Sequence, residues 1–197
     1  MRKIPVDNFK AKIGNMRAHL FHNPTIGLAP TLFYDIKIPL EPFDSGLEWE
    51  EQPVNTEFQL DFLVFPVKDW REFDGKSYND MSEDDADASV YLGNAHNPVY
   101  IKNISFEYLA QNRFRLDCTL LCDFTFETVA DDETVKLSAE INFENLMIRR
   151  SIIDDENIDN SKIRKAVAHL VTLDAYEFEP QIDKHYITLL PNTARSN

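Results

Sequence analysis

Apolar and polar residues alternate strictly over positions 114–126 of the chain. Seven even-numbered positions are apolar, and all but one of the odd positions between them carry polar or charged side chains. This period-two pattern is typical of a strand with one buried and one solvent-exposed face. Positions 135–143 repeat it, and the short polar segment 130–133 separates the two stretches. The pattern therefore predicts a long antiparallel β-hairpin.

A hairpin of this length does not fit as a flat, straight ribbon in a chain of 197 residues. A strand of about 14 residues extends over roughly 43 Å, whereas a domain of this size has a diameter of about 40 Å. We therefore expect the hairpin to twist, curl or contain a bulge, which gives the sheet a concave apolar face. The predicted fold class is α+β, mainly antiparallel β. Residues 1–197 are expected to form one domain around a curled sheet, either a sandwich or a half-barrel.

One amphipathic helix is predicted at positions 162–173, and it is expected to cover one face of the sheet. Four apolar residues form a single stripe along it: Ile163, Val167, Leu170 and Val171. Asn160 or Ser161 is the expected N-cap. A second, weaker helix is predicted over 8–20, interrupted by Gly14. Further strands are predicted at 31–40, 58–67, 89–92, 99–109 and 186–190.

The chain is strongly acidic, and its charge is unevenly distributed. The formal net charge is −14, although residues 1–22 carry five basic residues and only one acidic residue. A basic N-terminal arm that lies against an acidic body is the expected arrangement, with an arm reserved for a partner as the alternative. Nucleic acid is an unfavourable partner for a chain of this charge, because binding it requires a basic surface.

Two further features favour a cytoplasmic protein. The first 22 residues lack the apolar segment of a signal peptide, and no apolar run has the length of a membrane span. Cys118 and Cys122 lie on one predicted strand, where their Cα atoms would be roughly 13 Å apart, beyond the limit of about 7 Å for a disulfide. We therefore expect both thiols to be free, buried and inert.

Motifs of the common enzyme classes are absent from the sequence. The isolated glycines form neither a dinucleotide-binding fingerprint nor a phosphate-binding P-loop, and no G-x-S-x-G nucleophile elbow occurs. His19 and His22 supply too few ligands for a metal site, so they are expected at surface or turn positions. The sequence predicts no catalytic residue, no cofactor and no metal, and it favours a non-enzymatic role.

The acidic segments provide the leading functional hypothesis. We interpret the chain as a non-enzymatic acidic bacterial protein that binds a basic protein partner, as immunity proteins that inhibit toxins do. Complementary charge accelerates such association and selects the partner. The residues predicted to contact the partner are Glu83, Asp84, Asp85, Asp87, Asp154, Asp155 and Asp159.

The alternative hypothesis is a protein that binds a small apolar ligand. The ligand would occupy a cavity between the curled sheet and the helix. The residues predicted to line this cavity are Phe114, Leu116, Leu120 and Phe124. A hydrolase without a recognisable motif ranks third, and association into a homo-oligomer is compatible with all three.

Overall fold

The computed structural model describes residues 2–82, 86–153, 155 and 157–194. Within these ranges the chain forms ten strands and one α-helix, joined by loops that contain short 3-10 turns. The strands are β1 (Gly14–Asn23), β2 (Leu28–Pro39), β3 (Glu57–Leu63), β4 (Ser77–Asn79), β5 (Asp87–Leu92), β6 (Ala95–Ala110), β7 (Arg113–Cys122), β8 (Glu133–Arg149), β9 (Gln181–Ile182) and β10 (Tyr186–Leu189). The helix is α1 (Asn160–Val167).

The strands form one curled, mainly antiparallel sheet. Its order is β1-β2-β3-β5-β6-β7-β8-β10-β9, and β4 pairs with β6. The exception to the antiparallel pairing is β1, which also pairs with β8 in parallel. Because β1 bonds to both β2 and β8, the sheet curls back on itself around the apolar core. The predicted fold class, α+β with a curled antiparallel sheet, is confirmed.

The predicted hairpin is formed by β7 and β8. Leu116 lies opposite Ala139 and Leu120 lies opposite Val135, and all four side chains are buried. Strand β7 ends at Cys122, four residues earlier than the pattern predicts. The reason is a turn in which the Asp123 carboxylate accepts hydrogen bonds from the backbone N–H of Phe126 and the hydroxyl of Thr125.

The predicted helix over 8–20 is wrong, because this segment contributes strand β1 instead. Gly14, Met16, Ala18 and Leu20 are buried at alternate positions, and the intervening side chains face outward. Gly14 is required by a close approach of two chains: a Cβ atom there would overlap the carbonyl oxygen of Lys37. The central position of β1, between β2 and β8, explains why it adopts the extended conformation.

The remaining strand predictions are confirmed with shifted ends. The connection between β5 and β6 consists of only two residues, Gly93 and Asn94. Both have positive φ angles, of 66° and 63° respectively. This backbone conformation is the one that two-residue hairpins favour. Residues 95–98, which lie between the strands predicted at 89–92 and 99–109, therefore belong to β6.

The C-terminal helix is present and is shorter than predicted. It ends at Val167, and its N-cap is Asp159, whose carboxylate accepts a hydrogen bond from the backbone N–H of Lys162 at 2.9 Å. Ile163 and Val167 are its buried residues, as the apolar stripe predicts. Among the described helices, none is long and apolar enough to cross a membrane.

The N-terminal arm lies against acidic side chains, as the charge distribution predicts. Arg2 is 3.3 Å from a carboxylate oxygen of Glu48, and Lys3 is 3.7 Å from Glu133. The backbone N–H of Asp131 donates to the carbonyl oxygen of Arg2 at 2.9 Å. Both cysteines are free and buried on β7, in agreement with the sequence analysis.

Candidate functional site

A pocket of about 430 Å³ opens on the outer face of the sheet. Strand β1 positions it, because inward-facing Met16, Ala18 and Leu20 force the alternate side chains outward. Side chains from β2, β3, β8 and β10 complete its wall. The residues that line the pocket are Arg17, His19, Leu20, Phe21, Asp35, Asp61, Phe62, Met147 and Tyr186.

Asp35 is the buried centre of the polar part of this pocket and is only 5% exposed. One carboxylate oxygen accepts a hydrogen bond from Arg17 Nε at 3.0 Å and lies 3.1 Å from His19 Nδ1. The other oxygen accepts a hydrogen bond from the backbone N–H of Phe62 at 3.1 Å. Burial alone would raise the pKa of Asp35, but His19, Phe62 N–H and Arg17 together lower it. Asp35 is therefore a fixed negative charge that holds the surrounding groups in place.

His19 is held between two aromatic rings. It stacks on Phe33 with ring centroids 5.4 Å apart, and the ring of Phe62 meets it edge-on at 5.3 Å. Phe33 and Phe62 also contact each other at 5.5 Å. Together with Asp35, these rings fix both the position and the orientation of the imidazole.

Phe62 has an unfavourable backbone conformation for a residue with a side chain. Its φ angle is 55°, in the left-handed region, and 46% of its surface is exposed. Such conformations cost free energy and persist where surrounding contacts determine them. Here the hydrogen bond to Asp35 holds the backbone, and the β2–β3 register shifts at the same place. The outcome is an apolar ring displayed at the mouth of the pocket.

Asp61 is the carboxylate of the pocket that lacks a partner. Burial raises its pKa, as do the charges of Asp35 and Asp87, and this outweighs the opposing effect of Lys37 and Arg17. Both of those basic residues form their ion pairs elsewhere, Lys37 with Glu57 and Arg17 with Asp35. Within the part of the chain that the structure describes, the Asp61 carboxylate forms neither a hydrogen bond nor an ion pair.

The structure places the predicted partner-binding residues in different environments. Asp87 lies opposite Asp61 in the β3–β5 pairing and therefore belongs to the surroundings of the pocket. Asp155 forms an ion pair with Lys162 at 2.7 Å, and Asp159 caps α1, so both carboxylates already have partners within the chain. Four others lie outside the described residues: Glu83, Asp84, Asp85 and Asp154.

The residues of the alternative ligand cavity are completely buried. Phe114, Leu116 and Leu120 lie on the inner face of β7, and Phe124 follows in the turn after it. None of the four lines the pocket on the outer face. A cavity for an apolar ligand beside them stays a prediction.

The sequence analysis missed the polar residues of the pocket. His19 was assigned a surface or turn position, and Asp35 was one polar residue within a predicted strand. One signal in the sequence points to Asp35. It is an acidic residue between two apolar residues, Tyr34 and Ile36, and an acidic residue needs a partner if it is buried.

For the described residues, no group of three or more His, Cys, Asp or Glu side chains is arranged to hold a metal ion.

Comparisons of the chain with protein-family models, with curated proteins and with solved structures find no match. The chemistry of the pocket therefore has to be interpreted from its own geometry. That geometry combines an unpaired carboxylate, an ordered imidazole and exposed aromatic surface.

Proposed function

We propose that this protein binds a basic protein partner and that the pocket accepts one lysine or arginine side chain of that partner. The observation that carries the proposal is Asp61, an unpaired, half-buried carboxylate with a raised pKa in an aromatic pocket. The raised pKa reflects burial and neighbouring negative charges that destabilise the ionised carboxylate, and a cation placed beside it would offset this cost. A bound ammonium or guanidinium group would supply that charge in place of a proton.

The walls of the pocket suit the rest of such a side chain. Phe62 and Phe21 offer apolar surface for its methylene groups, and the exposed ring of Phe62 is available to its charged end. The ring of Phe21 already carries the guanidinium of Arg149, whose Cζ lies 5.0 Å from the ring centre. Asp87 lies opposite Asp61 on the adjacent strand, so a second negative charge stands close to the pocket although it does not line it. The remaining acidic groups of Asp35 and Glu57 are already paired and would not compete for the cation.

The overall charge supports the same partner. A net charge of −14 attracts basic molecules over distances of about one Debye length, roughly 8–10 Å at physiological ionic strength. Such attraction accelerates encounter, whereas a specific pocket decides which complex persists. The pocket is ordered before binding, because the Asp35 network and the paired rings hold it, so little conformational entropy is lost on association.

Titration with an octalysine peptide, followed by calorimetry, tests this proposal. Asp61→Asn should weaken binding about fivefold, the equivalent of roughly 1 kcal/mol for a partly exposed ion pair. Asp87→Asn should weaken it less. Asp117→Asn is the matched control, because it makes the same charge change at an exposed position on β7.

A second variant separates the pocket from general charge. Phe62→Gly removes the ring while keeping a residue that tolerates the positive φ angle, so binding should weaken without loss of the fold. If Asp61→Asn and Asp117→Asn reduce affinity equally, the peptide senses only the net charge and the pocket is not the site. Unchanged affinity in both Asp61→Asn and Phe62→Gly would likewise refute the proposal.

Proton-transfer catalysis is a second candidate, favoured by the 3.1 Å approach of His19 Nδ1 to the buried Asp35 carboxylate. A small rotation of the imidazole would let Nδ1 donate to this carboxylate, which would select the tautomer and orientation that a general base needs. A panel of chromogenic esters and phosphate esters tests this candidate. Hydrolysis that disappears in His19→Gln and persists in His96→Gln would support it, and a lack of turnover throughout would count against it.

A further inference from the structure

The loop between β2 and β3 displays a tryptophan on the surface. Trp49 is 55% exposed, and it is preceded by Glu48, whose side chain is 86% exposed. Glu51 is exposed on the other side of the same turn. An exposed tryptophan flanked by carboxylates has the composition of a binding hot spot for a basic group, since tryptophan is enriched among residues that dominate protein interfaces.

The loop holds this arrangement through its own polar contacts. The side-chain amide of Gln52 donates to Ser45 Oγ at 2.7 Å and to the carbonyl oxygen of Leu47 at 3.2 Å. Ser45 Oγ in turn donates to Glu50 at 3.0 Å. Each of these side chains is engaged within the loop, so the backbone around Trp49 is ordered without a partner.

Two contacts fasten the loop to the rest of the sheet. Glu50 accepts a hydrogen bond from the backbone N–H of Gly93 at 2.9 Å, in the turn between β5 and β6. Leu47 is fully buried and packs beside the same glycine. A rigid, anchored loop loses little entropy when it binds, which favours its use as a contact surface.

A guanidinium group already occupies the loop, and it comes from the chain itself. Arg2 Cζ lies 5.3 Å from the centre of the Trp49 ring, within the range of a cation–π contact. Arg2 Nη2 is 3.3 Å from Glu48 Oε1, and Arg2 Nη1 donates to the carbonyl oxygen of Gly46 at 3.4 Å. An aromatic face, a carboxylate and a carbonyl oxygen therefore converge on one planar cation.

We propose that this loop is a binding site for an arginine side chain of the basic partner, and that Arg2 fills it in the free protein. The proposal rests on the proposed function only in that the partner is basic, and it involves none of the residues of the pocket. Arg2 is held by long, exposed contacts, which contribute little to stability. A partner's arginine that brings additional contacts can displace it.

Competition between Arg2 and an added peptide tests the proposal. The probes are hexa-arginine and hexalysine peptides, and binding to the full chain is followed by calorimetry and by tryptophan fluorescence. Trp49 responds at the surface, whereas Trp70 is buried against Phe143 and gives a constant background. Hexa-arginine should bind more tightly than hexalysine, because a planar guanidinium stacks on an aromatic ring and forms forked hydrogen bonds.

Substitution of the arm supplies the decisive comparison. Arg2→Ala should strengthen hexa-arginine binding several-fold, because it vacates the loop. Lys3→Ala makes the same charge change but frees Glu133 rather than the loop, so it should strengthen binding less. Equal effects of the two substitutions would reduce the role of Arg2 to net charge and overturn the proposal.

Substitution of the loop separates this site from the pocket. Trp49→Ala and Glu48→Gln should each weaken hexa-arginine binding about two- to fivefold, the range expected for the loss of one exposed cation–π contact or one exposed ion pair. If binding survives both substitutions and is lost in Asp61→Asn, the loop proposal fails and the pocket stands. The reverse result retains the loop and refutes the pocket. Thermal melting of each variant verifies that the fold is intact.

Discussion

Three tyrosine hydroxyls are buried without a hydrogen-bond partner among the described residues, and two of them belong to fully buried residues, Tyr34 and Tyr176. The ring of Tyr34 packs against Phe73 at 4.9 Å and against Phe65 at 5.8 Å, so its aromatic contacts are those of a core residue. Burial raises the pKa of both hydroxyls well above the ordinary value, so both are neutral at any ordinary pH. Replacement by phenylalanine removes the unpaired oxygen and keeps the ring.

The expected effect of this replacement is an increase in stability. A buried polar group without a partner costs about 1–3 kcal/mol, and the change leaves a small gap that offsets part of the gain. We therefore expect Tyr34→Phe and Tyr176→Phe each to raise the free energy of unfolding by about 1 kcal/mol.

Urea denaturation followed by circular dichroism measures this difference. Tyr91→Phe is the control, because Tyr91 is nearly half exposed and its hydroxyl can bond to water. Its effect should stay within about 0.5 kcal/mol. A loss of 1 kcal/mol or more in Tyr34→Phe or Tyr176→Phe would refute the reasoning, since it would mean that the hydroxyl forms a hydrogen bond in solution.

Other residues give further measurable consequences. Gly14→Ala should destabilise the protein by about 1–3 kcal/mol, because the added methyl group overlaps the carbonyl oxygen of Lys37; an unchanged melting temperature would contradict this. Burial raises the pKa of Cys118 to about 12 and also raises that of Cys122, so neither thiol should react with Ellman's reagent at pH 8 until guanidinium unfolds the chain. Asp35→Asn should cost about 2 kcal/mol at pH 7. The folded state lowers the pKa of Asp35, so the ionised carboxylate stabilises the folded protein above pH about 4. This stabilisation is lost as the pH falls through the folded pKa. The unfolding curves of the wild type and the variant should therefore converge in acid.

The β7–β8 hairpin could be predicted because its alternation of apolar and polar residues fits only strands with one buried face. Each strand has one apolar and one polar face, and a shift of a single residue would expose the whole apolar face. The segment over 8–20 is different, since Phe9, Ile13, Met16 and Leu20 also follow a helical spacing. Ile13 is mostly exposed in the structure, which breaks that helical stripe. Only the pairing of β1 with its neighbour β2 and with the distant strand β8 decides between the periodicities, and the sequence of one segment does not contain that information.

The pocket was not predictable for a related reason. Its polar residues come from three strands that are neighbours in the sheet and separated along the chain, with His19 on β1, Asp35 on β2 and Asp61 on β3. These three strands are consecutive, and the register that aligns the three side chains follows from tertiary packing. The acidic segments are easier to recognise in the sequence than the pocket is. In the structure, however, Asp155 forms an ion pair with Lys162 and Asp159 caps α1, so both carboxylates already have local partners.

Asp61 and Phe62 both lower the stability of the folded protein where they stand, and this is the strongest reason to regard them as functional. Phe62 holds a left-handed backbone and exposes its ring, whereas Asp61 keeps an unpaired charge partly buried. Because the folded state raises the pKa of Asp61, stability is lost as the pH rises through that pKa and the carboxyl becomes charged. A cation bound beside it reverses this effect by stabilising the ionised form. Binding should therefore weaken as the pH falls and Asp61 takes up a proton, whereas Asp35, with its lowered pKa, stays ionised to lower pH and keeps the pocket in place.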